Sequence, residues 1–265
     1  MGEMTRLLLL LWAGVSVSTA VDLQKRIVGG QTCGNNDRQY HVFLIGFDGT
    51  DPMTCGGSLI NNYWILTAAH CWKPLMAAFV GVHPGLPGQR QTITITEHHI
   101  RNINNANHDI MLLKLATPAQ IQHINLPTAH ECSNRNNVVK VVQIAGYGQK
   151  TMGPNKERQP GFTSELQCAD TQVTDCSDFR SCLHICNPWL HYTHGSQHWF
   201  CGQCPAGQVD ISPGDSGGAV VHNKKIYGVI SFSGSTTHAC VSPAGFMDIC
   251  HPDYFTWING IISKP

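Results

Sequence analysis

Charge is scarce in this sequence. Only 13% of its 265 residues are Asp, Glu, Lys or Arg, about half of the roughly 25% usual in soluble proteins. The two signs balance at 17 each, leaving no net charge with histidine neutral. Nucleic-acid binding through counterion release needs a basic excess, so that class is excluded. Long hydrophobic runs are missing as well, because no stretch approaches the roughly 18 apolar residues of a membrane helix. Internal repeats, low-complexity tracts and Asn-x-Ser/Thr sequons are also absent. Their absence rules out solenoids, propellers and N-linked glycans.

Cysteine, by contrast, is plentiful. Twelve are present, an even count that suits disulfides in an oxidising compartment better than a reduced cytosol. Arg6 precedes the apolar run Leu7–Val15, and Ser18-Thr19-Ala20 supplies small residues at a cleavage site. Residues 1–20 therefore read as a secretory signal peptide, too short to span a bilayer. A secreted, extracellular protein with no membrane partner is expected. The length suits one large domain or two small ones with a sizeable core.

Beyond the leader the chain reads as short β-runs broken by Gly, Pro and Asn. Gln91–Glu97 alternates apolar and polar residues at period two, and Ile110–Leu115, Val138–Ile144 and Lys224–Phe232 are further strands bounded by turn residues. With no helices between them, such strands point to an all-β sandwich or a pair of barrels. One helix is expected at the end. Tyr254, Trp257, Ile258 and Ile261 share a face, with Pro252 and Asp253 suited to the first turn. It is assigned a packing role.

Three segments carry chemistry: Leu66-Thr67-Ala68-Ala69-His70-Cys71, Asn107-His108-Asp109-Ile110-Met111-Leu112-Leu113 and Gly214-Asp215-Ser216-Gly217-Gly218. They supply a base, an orienting carboxylate and a nucleophile. A serine hydroxyl attacks poorly until an imidazole takes its proton, and that imidazole needs a carboxylate to fix its tautomer. Glycines around Ser216 let backbone N–H groups approach a substrate carbonyl.

In this order, and together with Arg26-Ile27-Val28-Gly29-Gly30, these segments resemble the trypsin-like serine proteases of the chymotrypsin fold. The resemblance covers residues 27–265 and is weakest between about Lys150 and Gln208. It implies two packed antiparallel six-stranded β-barrels with a C-terminal α-helix, and a secreted serine endopeptidase. His70 would be the general base, Asp109 its orienter and Ser216 the nucleophile, with the N–H groups of Gly214 and Ser216 forming an oxyanion hole. His108 lacks the flanking match and reads as a surface or packed histidine. Val21–Arg26 would be a propeptide, cut before Ile27 by another protease or by the enzyme itself. The freed ammonium of Ile27 would then pair with Asp215 and order the oxyanion loop.

Expected partners are protein or peptide substrates and protein protease inhibitors, with no cofactor. Asp210, six residues before Ser216, would lie at the base of the primary specificity pocket and favour Arg or Lys, with Ser231, Ser233 and Ala244 along the substrate site. Ser233 and Ala244 add atoms that could narrow the pocket. The resemblance also implies disulfides Cys33–Cys168, Cys55–Cys71 and Cys132–Cys250. Val142 and His222 stand where a further family bridge is lost at both ends, and Ser212 replaces a cysteine before the nucleophile loop.

Cys176, Cys182, Cys186, Cys201, Cys204 and Cys240 remain unassigned. With His184, His191, His194 and His198 nearby, Cys182-x3-Cys186 and Cys201-x2-Cys204 also resemble a zinc site, but a secreted chain favours disulfides and no metal is expected. Gly81–Gln91 contains no Asp or Glu, so calcium is not expected either. Two alternatives stay open: the same hydrolase with non-tryptic specificity, and a pseudoprotease acting as a toxin-like binding protein.

Overall fold

The computed structural model describes residues 27–264 apart from 150, 162, 178–179, 181–187 and 205–208. The signal peptide, the propeptide with Arg26, and Cys182, His184 and Cys186 lie outside the described residues.

The first barrel closes in the order β2-β3-β4-β7-β6-β5. Its strands are β2 (His41–Phe47), β3 (Pro52–Leu59), β4 (Trp64–Thr67), β5 (Leu75–Val80), β6 (Gln91–Ile103) and β7 (Ala106–Leu115). The period-two reading of Gln91–Glu97 falls inside β6. In β7 the whole stretch from His108 to Leu113 is buried, because one face fills the barrel and the other packs outward beneath neighbouring elements.

The second barrel is built from β8 (Val141–Gly146), β9 (Gln167–Thr174), β10 (Trp199–Gly202), β11 (Ala219–His222), β12 (Lys225–Phe232) and β13 (Ala244–Asp248). They run β9-β10-β13-β12-β11-β8, and pairing of β8 with β9 closes the ring. A short strand β1 (Gln31–Thr32) adds to β9 with Gln31 opposite Cys168. All ladder pairings between these strands are antiparallel. Both barrels contribute to one apolar cluster, in which Leu66, Leu112 and Leu113 of the first meet Val229, Phe232 and Met247 of the second.

Two expectations need correction. The strand expected from Val138 begins only at Val141, because Arg135–Val138 forms a helical turn (α2) that exposes Val138. Helices also interrupt the strands. Thr128 starts α1 (Ala129–Ser133) with a capping box, its hydroxyl accepting from the Glu131 N–H while the Glu131 carboxylate accepts from the Thr128 N–H. A further helix, α3, spans Pro188–His194. The C-terminal helix α4 (Pro252–Ile262) starts at Pro252, is capped by His251, and buries Tyr254 and Ile258 as its periodicity requires.

Five disulfides join the ten described cysteines: Cys33–Cys168, Cys55–Cys71, Cys132–Cys250, Cys176–Cys201 and Cys204–Cys240. Cys201 and Cys204 are therefore not available as zinc thiolates.

Candidate active site

His70 sits in a single turn of 3₁₀ helix (Ala69–Cys71) directly after β4. The Cys55–Cys71 disulfide ties that turn back to β3. Asp109 lies on β7, which pairs with β4 so that Thr67 opposes Met111. This pairing delivers carboxylate and imidazole to the same end of the barrel. His70 Nδ1 lies 3.0 Å from Asp109 Oδ1 and 2.9 Å from Oδ2, and the His70 backbone N–H donates to Oδ1 at 2.8 Å.

The carboxylate is held from further directions. The Ser231 hydroxyl donates to Oδ2, His194 Nε2 stands 3.5 Å from the same oxygen, and the Asp109 N–H donates to Gln197 Oε1 at 2.7 Å. Burial opposes charge on Asp109, yet His70 and His194 outweigh it and hold the carboxyl well below the usual range. Exposure to solvent remains greater at His70, whose side chain is 39% accessible. Desolvation would lower its pKa, but the Asp109 charge and hydrogen bonds raise it overall. With Nδ1 donating to the carboxylate, Nε2 carries a free lone pair able to accept a proton.

Ser216 is half-buried, and its carbonyl accepts the Gly56 N–H at 2.7 Å, anchoring it beside the Cys55–Cys71 bridge. Among the described residues no hydrogen bond joins His70 to Ser216, a gap common before substrate binds. Gly214 has φ +100°, a conformation that favours glycine. Neither its N–H nor that of Ser216 has a backbone acceptor among the described residues. Both donors remain available to an incoming oxygen.

Asp215 points the other way, into the second barrel, and is fully buried. Its carboxylate accepts the N–H groups of Gly148 at 2.8 Å and Ser212 at 2.9 Å, and the Ser212 hydroxyl at 3.0 Å. Ser212, standing where the family has a cysteine, thus becomes a ligand of this carboxyl. Burial dominates these bonds and pushes the carboxyl up to about 6. A Cβ at Gly146 would overlap its Oδ1, so the space for Asp215 depends on that glycine. Ile27 is also fully buried, in the apolar cluster that holds Val142 and Ile211.

The Trypsin family model matches residues 27–258. A trypsin of Xenopus laevis is 31% identical over 97% of this chain and 98% of its own length. Beta-fibrinogenase of Macrovipera lebetinus is 28% identical over 94% and 92% of the two chains. Among solved structures, neuropsin, a serine protease expressed in mouse brain, superposes with a TM-score of 0.67 at 26% identity, covering 88% of this chain and 99% of its own.

The chain belongs to the trypsin family. It is a serine endopeptidase, of a family that acts on protein substrates and is blocked by protein inhibitors.

Asp210, expected at the base of the specificity pocket, holds an unexpected partner. Asp210 does not face open solvent or an empty pocket. Arg158 Nη2 lies 2.7 Å from Asp210 Oδ2, and the two side chains are only 1% and 3% exposed. The other bonds to this carboxylate come from the backbone N–H groups of Ile211 and Cys240, both at 2.8 Å. Burial raises the Asp210 carboxyl, with Arg158 opposing that rise. The Ser233 hydroxyl turns aside to Ser235 O at 3.1 Å, and Ala244 is buried opposite Gly202. Ser231, expected along the substrate, also donates its hydroxyl to Asp109.

Two candidate metal clusters occur among the described residues. Cys55, His70 and Cys71 converge, but both sulfurs belong to one disulfide and cannot act as thiolates. His198, His251 and Asp253 also converge, with Asp253 Oδ2 already 3.2 Å from His198 Nε2.

Proposed function

We propose that this trypsin-family endopeptidase works through His70, Asp109 and Ser216 and is made as a secreted precursor. His70 Nε2 takes the proton of Ser216 as Oγ attacks the scissile carbonyl, and later returns it to the leaving amine. Asp109 keeps the imidazole in the required tautomer and stabilises the imidazolium. The Gly214 and Ser216 N–H groups receive the developing oxyanion, where each such donor is worth about 3–4 kcal/mol. The observation that carries this reading is the contact of His70 with both oxygens of a buried carboxylate that Ser231 also holds.

Cutting between Arg26 and Ile27 would activate the precursor. Asp215 is a buried carboxyl with three donors and, among the described residues, no cation bonded to it, a costly arrangement that a new ammonium at Ile27 would relieve. The burial of Ile27 in the uncut chain supports the idea that activation adds mainly a charge, the side chain being already in place. Asp210 supports a preference for Arg or Lys before the scissile bond. A non-tryptic preference is favoured by the one observation that Arg158 already neutralises that carboxylate.

An active-site-directed fluorophosphonate tests the core of this proposal. The protein cut after Arg26 should label at Ser216, and Ser216→Ala should lose the label and about 10⁶ in kcat. A cut protein that takes no label, or an alanine variant that labels equally, would establish the binding-protein alternative or a different nucleophile.

A further inference from the structure

Arg158 is held in place by more than its charge. Its Nε donates to Ser235 O at 3.2 Å and its backbone N–H to Thr237 O at 2.8 Å. Bridge pairings of Met152 with Arg158 and of Glu157 with His238, together with the Ala239 N–H on Lys156 O at 2.9 Å, fasten the whole 152–158 turn onto the 235–239 segment. That segment leads directly to Cys240, whose N–H caps Asp210 and whose sulfur is bridged to Cys204. The guanidinium is therefore buried between the 152–158 turn, the 235–239 segment and Asp210.

The fit is incomplete. Only Nη2 reaches the carboxylate, while Nη1 is buried with no hydrogen-bond partner. A forked guanidinium can make two parallel bonds to a carboxylate, so this one uses part of its capacity. A buried donor without an acceptor weakens its own hold.

We propose that Arg158 is the residue that sets side-chain choice in the primary pocket, as an internal surrogate for a basic substrate side chain. The inference rests on Asp210 forming the base of that pocket. A substrate Arg or Lys then gains no new ion pair outright, since it must first displace the Arg158 guanidinium from Asp210. Its apparent affinity falls by the fraction of molecules in which the pocket stands open. Apolar side chains lose the penalty they would incur from an unpaired Asp210, so discrimination against them narrows. Asp210 also pairs with Val28 beside the Arg26–Ile27 bond, its N–H donating to Val28 O at 3.1 Å, so the test is made on the activated enzyme.

Benzamidine, a small amidinium that probes such pockets without being cleaved, gives the test. In calorimetric titrations of the activated enzyme, Arg158→Gln should bind benzamidine at least about 10-fold tighter than the parent. Its kcat/KM ratio for Arg over Leu before the scissile bond should rise by a similar factor. Equal or weaker benzamidine binding in the variant, at an unchanged melting temperature, overturns the proposal. Should Arg158→Gln fail to fold, the parent enzyme decides the matter. Saturating benzamidine should expel the 152–158 turn and speed cleavage after Glu157 by a glutamate-specific protease, whereas an unchanged rate overturns the proposal. Neither binding readout depends on Ser216, so loss of fluorophosphonate labelling would sink the catalytic proposal separately.

Discussion

His108 Nδ1 lies 2.6 Å from the Tyr254 hydroxyl, a buried contact that fastens the C-terminal helix to the strand carrying Asp109. The same oxygen accepts the His198 N–H at 3.1 Å. Burial and the neighbouring His198 push the His108 imidazole down to about 4, so it stays neutral at physiological pH. The helix thus does more than cover the core. It fixes the backbone one residue from the carboxylate that orients His70.

Tyr254→Phe keeps the ring and deletes that fastening. The buried His108 imidazole and the part-buried His198 N–H lose their partner, which costs about 1–3 kcal/mol. The melting temperature should fall by roughly 2–4 °C for each kcal/mol in a domain of this size. Calorimetry measures the shift, and an unchanged transition would mean that water replaces the hydroxyl.

Ser231→Ala removes one donor from Asp109 while His70 and His194 remain. A hydrogen bond to a charged group contributes about 1.5–3 kcal/mol, so kcat/KM should fall about 10- to 100-fold. The loss should appear in kcat rather than KM, because Ser231 supports the base. Steady-state kinetics on the activated enzyme separates the two, and a change confined to KM would show that Ser231 acts on the substrate rather than through Asp109.

Asp215 makes the stability of the uncut chain depend on pH. Its carboxyl rises from 3.8 to about 6 in the uncut fold, so the folded chain holds that proton more tightly than the unfolded one. The associated stability is fully present below pH 3.8 and is lost as pH climbs through about 6. Between pH 4 and 7 an Arg26→Gln precursor should lose up to ~3 kcal/mol relative to the same chain with Asp215→Asn. Denaturant melts at several pH values measure the difference. Parallel curves would show that Asp215 is not strained before cleavage.

The segments proposed as catalytic stood out in the sequence because their chemistry is local: glycines, a turn and a reactive side chain sit within a few residues of one another. The partners of Asp109 did not. Gln197 lies 88 residues away, and the Tyr254 that holds its neighbour lies 146 residues from His108. His194 attracted notice as a zinc ligand because the cysteines beside it dominate the local pattern, and only the packing of β10 and α3 reveals its carboxylate partner. Arg158 sits in a loop rich in Gly and Pro with no local sign of an acid 52 residues on. The helix at the end was legible from its periodicity. The late start of β8 was not, because the β-branched Val138 and Val139 favour a strand that the preceding helical turn overrides. Pairing of Cys176 with Cys201 and of Cys204 with Cys240 required the fold itself, since sequence cannot choose among connectivities.

Strand β1 and the Cys33–Cys168 bridge belong to the beginning of the chain yet are sewn into the second barrel. The connection between the barrels runs from residue 116 to residue 140, and Cys132 within it is bridged to Cys250 at the foot of the last helix. A single nick anywhere along that connection therefore leaves two fragments in one covalent body. On a gel such a molecule runs intact until a reductant is added, and only then parts into two bands. The stretch of chain between its two halves can be cut without the halves drifting apart.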